Sequence, residues 1–179
     1  MAGVTVALYE GYQNSKQNEI GAKLYEGQLA IFNNQTQKAQ NLVKELPSPS
    51  RSYLELLLGD DFYKKQHWDR SIQYFSTARR DLKETDKGLV YLILEKEAYI
   101  RYLKGDYQGA LNLLKEIDVN APNFCSAEIL KAQIFADKND IQTAKGVLER
   151  VLNSCKDANT QITAKWLLTK IETQKGKVK

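Results

Sequence analysis

Three groups of residues have the types and spacing to do chemistry. The first surrounds His67, the sole histidine, in the segment Gln66-His67-Trp68-Asp69 with Asp60 and Asp61 upstream. A histidine near carboxylates suits a metal ion or general-base work, but a typical metal site needs about four ligands. Neighbouring carboxylates on a helix also point in different directions. The chain carries no Gly-x-Gly-x-x-Gly, phosphate-binding loop, Gly-x-Ser-x-Gly or His-Glu-x-x-His. His67 therefore reads as a solvated turn residue, and the expectation is a non-enzymatic protein with no catalytic residue, metal or cofactor.

The second group is the cysteine pair Cys125 and Cys155. One opens a predicted helix and the other follows the end of the next. Antiparallel helices bring such ends together, within the roughly 4.4–6.8 Å between Cα atoms that a disulfide needs. An oxidising compartment would favour the bridge. The alternative is two separate thiols buried as small hydrophobes. No Cys-x-x-Cys redox motif is present.

The third group is a stripe of tyrosines with aliphatic neighbours, and it needs a scaffold before it has meaning. That scaffold repeats. The segment Leu92–Pro122 reads as two amphipathic helices around the turn Lys104-Gly105-Asp106, with Ala98 in the first and Ala110 twelve positions later in the second. Gly27, Gly59, Ala98 and Ala132 stand in this register, each twelve residues before Ala39, Ser71, Ala110 and Ala144. Four residues further on come Val43, Phe75, Leu114 and Leu148. Where helices cross at about 8–10 Å, a small residue at the contact must face a larger one that fills the groove. The units are spaced by 32, 39 and 34 residues, around the 34 of the tetratricopeptide (TPR) pattern that they resemble. The longest spacing reflects extra residues around Asp86-Lys87-Gly88.

The fold class follows: an all-α, TPR-type α-solenoid of about four helix hairpins with a C-terminal capping helix. The predicted hairpins pair Asn18–Phe32 with Gln35–Leu46, Tyr53–Lys65 with Asp69–Leu82, Gly88–Lys104 with Tyr107–Ile117, and Asn123–Lys138 with Asp140–Leu152. Pro47-Ser48-Pro49-Ser50 breaks the chain between the first two. A single helix, Thr160–Thr173, is expected to cap the array with Ile162, Trp166 and Ile171 on one side and polar residues behind. Residues 13–174 form one repeat domain, with 175–179 a frayed tail.

In such an array one face of the first helices lines the concave side. Projecting that face gives Leu24, Gln28, Ile31, Tyr53, Leu56, Asp60, Tyr63, Leu92, Glu95, Tyr99 and Tyr102. Four tyrosines among aliphatic residues make an amphipathic surface suited to extended or helical peptides. Each can equally be a packing residue of the inner layer. A clamp for a C-terminal carboxylate is not expected, because Leu24, Leu56, Asp60, Lys96 and Ile129 occupy its positions and cannot supply a basic fork.

The bulk properties suit this reading. With 179 residues, 42% hydrophobic and 3 prolines, the chain can bury the core of one domain or one short array. Its net charge of +4, from 26 basic and 22 acidic residues, is spread over helix faces and argues against a nucleic-acid partner. Residues 2–8 are apolar and uncharged and precede Tyr9-Glu10-Gly11-Tyr12. Tyrosine favours the membrane interface, so residues 1–12 read as the stub of a membrane anchor, with the helix running on through Ser15–Glu26. The alternatives are an apolar first helix docked on the array, or a disordered end.

The stub, the segment YEGYQNSKQNEIGAKLYEGQLAIFN and the short array resemble the YfgM-like family, an ancillary subunit of the SecYEG translocon. Tyr9, Tyr12, Gln13, Leu24, Tyr25 and Glu26 carry the likeness, joined by the Lys104-Gly105-Asp106-Tyr107 turn and the Ala164-Lys165-Trp166-Leu167 helix. The resemblance implies a single-pass inner-membrane protein whose TPR domain faces the periplasm, with translocon subunits and periplasmic chaperones as partners. It supplies no catalytic or ligand residue. The alternative is a TPR scaffold of another envelope assembly, such as outer-membrane or pilus biogenesis.

Overall fold

The computed structural model describes residues 2–83 and 86–175. These form α1 (Ala2–Phe32), α2 (Thr36–Glu45), α3 (Ser50–Lys64), α4 (Trp68–Leu82), α5 (Lys87–Leu103), α6 (Tyr107–Lys115), α7 (Phe124–Asp137), α8 (Ile141–Ser154) and α9 (Ala158–Lys175). The architecture is all-helical, as the register predicts. Helix α1 is continuous through residues 15–26. The side chains of residues 2–12, on which the anchor expectation rests, lie outside the described ones, as do residues 176–179 of the expected tail. Among the described residues no helix is long and apolar enough to cross a membrane.

The chain divides into two compact units, Met1–Asp86 and Lys87–Lys179. In the N-terminal unit α1 pairs with α2 and α3 with α4, around a core of Ala30, Ala39, Leu42, Val43, Leu46, Leu54, Leu58 and Phe62. In the C-terminal unit α5 pairs with α6 and α7 with α8, and α9 packs on α7 and α8. The sequence prepares two kinds of helix for this. The second helices, α2, α4, α6 and α8, segregate apolar and polar residues on opposite sides. The first helices α1, α3 and α7 carry apolar residues around much of their circumference. A helix packed on one side needs one apolar stripe, whereas one flanked by several neighbours needs more.

The crossing residues lie where the register puts them. Ala39, Ser71, Ala98, Ala110, Ala132 and Ala144 are fully buried, and Gly27 and Gly59 are buried with them. A Cβ at Gly59 would sit 2.5 Å from the ring of Phe75, and one at Gly27 would sit 2.6 Å from a methyl of Leu54. The missing side chain is thus the socket for a large residue of a neighbouring helix. Ser71 adds a bond across its crossing, its Oγ donating to the Gly59 carbonyl at 2.8 Å. That bond satisfies a hydroxyl in the core.

The four hairpin turns share one backbone. Asn34, Gln66, Gly105 and Asn139, each five residues before the second small residue, have φ of 57°, 60°, 80° and 63°. The next residue sends its N–H back over the turn, as Gln35 to Ala30, His67 to Phe62, Asp106 to Arg101 and Asp140 to Phe135, at 2.7–2.9 Å. This pair of features is a Schellman ending. Glycine and asparagine adopt the left-handed region readily, and glutamine does so at a cost.

Helix α9 corrects one expectation. Ala164, Leu167 and Ile171 are buried, while Ile162 and Trp166 are 67% and 60% exposed. Nine residues make about two and a half turns, so Ile171 faces away from Ile162 rather than sharing its side. The cap is therefore apolar on its inner face and carries a second apolar stripe on its outer one.

Candidate docking surfaces

None of the eleven residues projected onto the concave face is buried. Seven belong to the N-terminal unit. Of these, Gln28, Ile31 and Asp60 come together in a hollow of about 460 Å³ between α1 and α3, with Phe32, Asn34, Leu57, Asp61 and Lys64 completing its walls. Leu24, Tyr53, Leu56 and Tyr63 do not line it. Tyr53 is exposed, and Tyr63 packs its ring 5.4 Å from Trp68.

Sequence reasoning missed Phe32, which is 83% exposed at the rim. It stands four residues after Gln28, the spacing that keeps side chains on one face, but the projected face leaves out this last residue of the helix. The floor is fixed by charge. Asp61, almost buried, accepts from Lys65 Nζ at 2.7 Å and from Thr36 Oγ1 at 3.2 Å, and Lys65 also donates to Thr36 at 2.9 Å. The start of α2 is thereby tied to the end of α3, and Asp61 is compensated within the fold.

Leu92, Glu95, Tyr99 and Tyr102 belong to the C-terminal unit. Leu92 and Tyr99 are 41% and 40% exposed. The other two serve the fold. Glu95 Oε2 accepts from Asn123 Nδ2 at 2.7 Å, and the same amide donates to the Tyr91 carbonyl at 2.8 Å. Tyr102 donates to Asp137 Oδ2 at 2.6 Å. Burial, then the bond to Asp137, raises the Tyr102 hydroxyl far above the usual phenol range and keeps it a donor. Its ring also lies 6.0 Å from those of Tyr99 and Tyr107. Tyr102 and Glu95 thus hold α5 against α7, while Leu92 and Tyr99 present the surface.

The remaining candidate chemistry has structural partners. His67 is exposed at the start of α4, its ring 6.0 Å from that of Phe62. Among the described residues no three His, Cys, Asp or Glu side chains converge as a metal site would require. Cys125 and Cys155 are joined in a disulfide with Cα atoms 6.0 Å apart. The bridge links the first turn of α7 to the residue that ends α8. Gln161 of α9 donates from Nε2 to the carbonyls of Cys155 and Leu152 at 2.6 and 2.8 Å, so the cap helix is tied to the same corner.

Stacked hairpins whose first helices carry exposed aromatic and aliphatic residues are a surface for holding other chains. The family model described as tetratricopeptide repeat protein 21 ARM repeat matches residues 10–145. The chain belongs to this ARM repeat family. Its fold is that of a protein–protein interaction scaffold, and no catalytic family is indicated.

Solved structures give the same architecture. The nearly identical TPR-like repeats of a Podosopora anserina protein described as a kinesin light chain superpose with a TM-score of 0.64 at 14% identity, over 89% of this chain and 87% of that one. A tetratricopeptide repeat protein of Parabacteroides merdae gives 0.67 at 14% identity, over 88% and 61%. Yeast Tom70 gives 0.69 at 17% identity, over 87% of this chain and 33% of its own. At such identities the likeness is one of fold. No curated protein matches the sequence.

Proposed function

We propose that the chain is a docking module of the bacterial cell envelope, holding peptide segments of partner proteins on the exposed faces of its first helices. The observation that carries this is the α1–α3 hollow, in which Ile31, Phe32 and Leu57 meet Gln28, Asp60 and Lys64. Apolar contact there supplies affinity, and the polar groups fix orientation. In the C-terminal unit Leu92 and Tyr99 offer a second, smaller apolar contact. The Cys125–Cys155 bridge supports an oxidising compartment, because cytosolic reductants keep such pairs open. The resemblance to the YfgM-like family then suggests the partner class: the inner-membrane translocon and periplasmic chaperones, with residues 1–12 as the stub of a membrane anchor.

The test is photo-crosslinking in a bacterial periplasm from probes placed at Phe32 and Tyr99. Capture of translocon subunits or periplasmic chaperones, reduced by Ile31→Asp at the first position and Leu92→Asp at the second, is the expected result. Capture of outer-membrane or pilus assembly components would move the module to a different envelope machine. Crosslinks that neither substitution changes would remove both surfaces from the docking role.

A further inference from the structure

Helix α9 presents an outer face that no other described helix covers. Ile162 and Trp166, one turn apart, are its large residues, and both are mostly exposed. The threonines along the helix do not make it as polar as their names suggest. The hydroxyls of Thr163, Thr169 and Thr173 donate back to the carbonyls of Asn159, Lys165 and Lys170 at 2.8, 3.0 and 2.9 Å. With their hydroxyls spent on the helix itself, these side chains leave methyl groups to continue the stripe. Thr169 and Thr173 follow Ile162 by seven and eleven residues, the spacing of a seam that one helix offers another.

Among the described side chains, the charges nearest this stripe are lysines. Lys165 and Lys170 flank it, and Lys170 Nζ lies 5.2 Å from the centre of the Trp166 ring, which holds the indole in place. The one carboxylate in this stretch of α9, Glu172, is engaged by Lys145 at 2.7 Å. An apolar ridge bordered by lysines is complementary to an apolar ridge bordered by carboxylates. A second copy of the chain does not meet that need, because pairing α9 with itself sets lysine against lysine. Among the described side chains only Lys165 and Lys170 border the stripe, and the vesicle arm of the test separates a partner helix from an anionic lipid surface.

We infer that the outer face of α9 docks an amphipathic helix of a partner protein whose apolar stripe is flanked by Asp or Glu. This surface is separate from the α1–α3 hollow and from the Leu92–Tyr99 contact, so its fate does not decide theirs.

The test uses the full chain and a fluorescently labelled synthetic helix with a leucine stripe flanked by glutamates. Its counterpart has lysines in place of the glutamates. Vesicles of mixed phosphatidylglycerol and phosphatidylcholine serve as a third probe. In a Trp68→Phe background, the acidic peptide is expected to shift Trp166 emission to the blue. By anisotropy it should bind about tenfold more weakly to Trp166→Ala or Ile162→Ser and about threefold more weakly to Lys170→Glu. The lysine peptide should bind at least about tenfold more weakly than the acidic one to the parent. Circular dichroism checks that the variants keep their helices. Equal binding of the two peptides would overturn the inference, as would binding indifferent to both apolar substitutions. So would no binding up to about 1 mM, a response to vesicles alone, or self-association lost on Trp166→Ala.

Discussion

The two units solve the same packing problem with different local chemistry. In the C-terminal unit the second helices begin at Asp106 and Asp140, whose carboxylates accept from the N–H groups of Gly109 and Thr143 at 2.9 and 3.2 Å. Asp157 does the same for Thr160 ahead of α9, at 2.8 Å. The bonds from Arg101 and from the Gly109 N–H hold the Asp106 carboxyl below its usual range. In the N-terminal unit the corresponding residues are Gln35 and His67, and neither side chain caps its helix. The left-handed turn residues are Gly105 and Asn139 in one unit and Asn34 and Gln66 in the other.

Buried carboxylates sharpen the contrast. Glu55 and Glu128 each stand four residues before a crossing residue, Gly59 and Ala132, and both are nearly buried. Glu128 is bonded to Lys131 and has Arg150 at 3.9 Å. Among the described residues Glu55 Oε2 has no hydrogen-bond partner. Burial, reinforced by the negative charge of Asp81 and opposed by Arg51 and Arg80, pushes the Glu55 carboxyl up to about 7. The lesson is that a repeat register fixes where helices cross and leaves their stability to local choices. The C-terminal unit is the more consistent of the two.

The largest effect expected from breaking this contrast is at the disulfide. Cys125→Ala with Cys155→Ala opens a loop spanning 30 residues and should destabilise the C-terminal unit by about 3–4 kcal/mol. Hydrogen exchange resolved by segment would show whether the loss is confined to α7–α9. Next comes Gly59→Ala, whose methyl would run into the buried Phe75 ring. It should cost about 1–3 kcal/mol through overpacking, measured by urea unfolding. An unchanged midpoint would mean that the crossing is looser than described.

The third effect depends on pH. Glu55 holds its proton more tightly folded than unfolded, so ionising it costs stability. Its contribution should be absent below about pH 4.5, worsen as pH rises to about 7, and level off above. Glu55→Gln should remove that slope and melt higher than the parent at pH 8, with the two curves meeting at low pH. The smallest effects are at the caps. Asp140→Ala should lose about 1 kcal/mol, and His67→Asp should recover part of that amount in the other unit. Thermal melts of the two variants would test whether capping separates the units.

Much of the fold was legible because a helix crossing demands small and large residues at fixed spacing, and four copies of that demand leave a periodic trace. Of the eleven residues projected onto the first-helix face, none is buried. Sequence could not tell which of them the fold would spend on itself. Glu95 and Tyr102 are engaged by Asn123 and Asp137, residues 28 and 35 positions away. Such pairing depends on how neighbouring hairpins meet. Phe32 was hidden by lying at a helix end. Glu55 was hidden because a carboxylate in a helix ordinarily reads as solvated. The outer stripe of α9 was misread by grouping Ile171 with residues half a turn away.

The uniform Schellman turns also say where this chain can change length. Every hairpin separates its two crossing positions by twelve in sequence, while the distance between successive hairpins varies. The variation in length thus falls where one hairpin hands over to the next, where no shared hydrogen-bond pattern fixes it. A sensor or tag grafted at a handover such as Pro47–Pro49 should therefore be accommodated, whereas a single extra residue at Gly105 or Asn139 would turn the following helix out of phase with its partner.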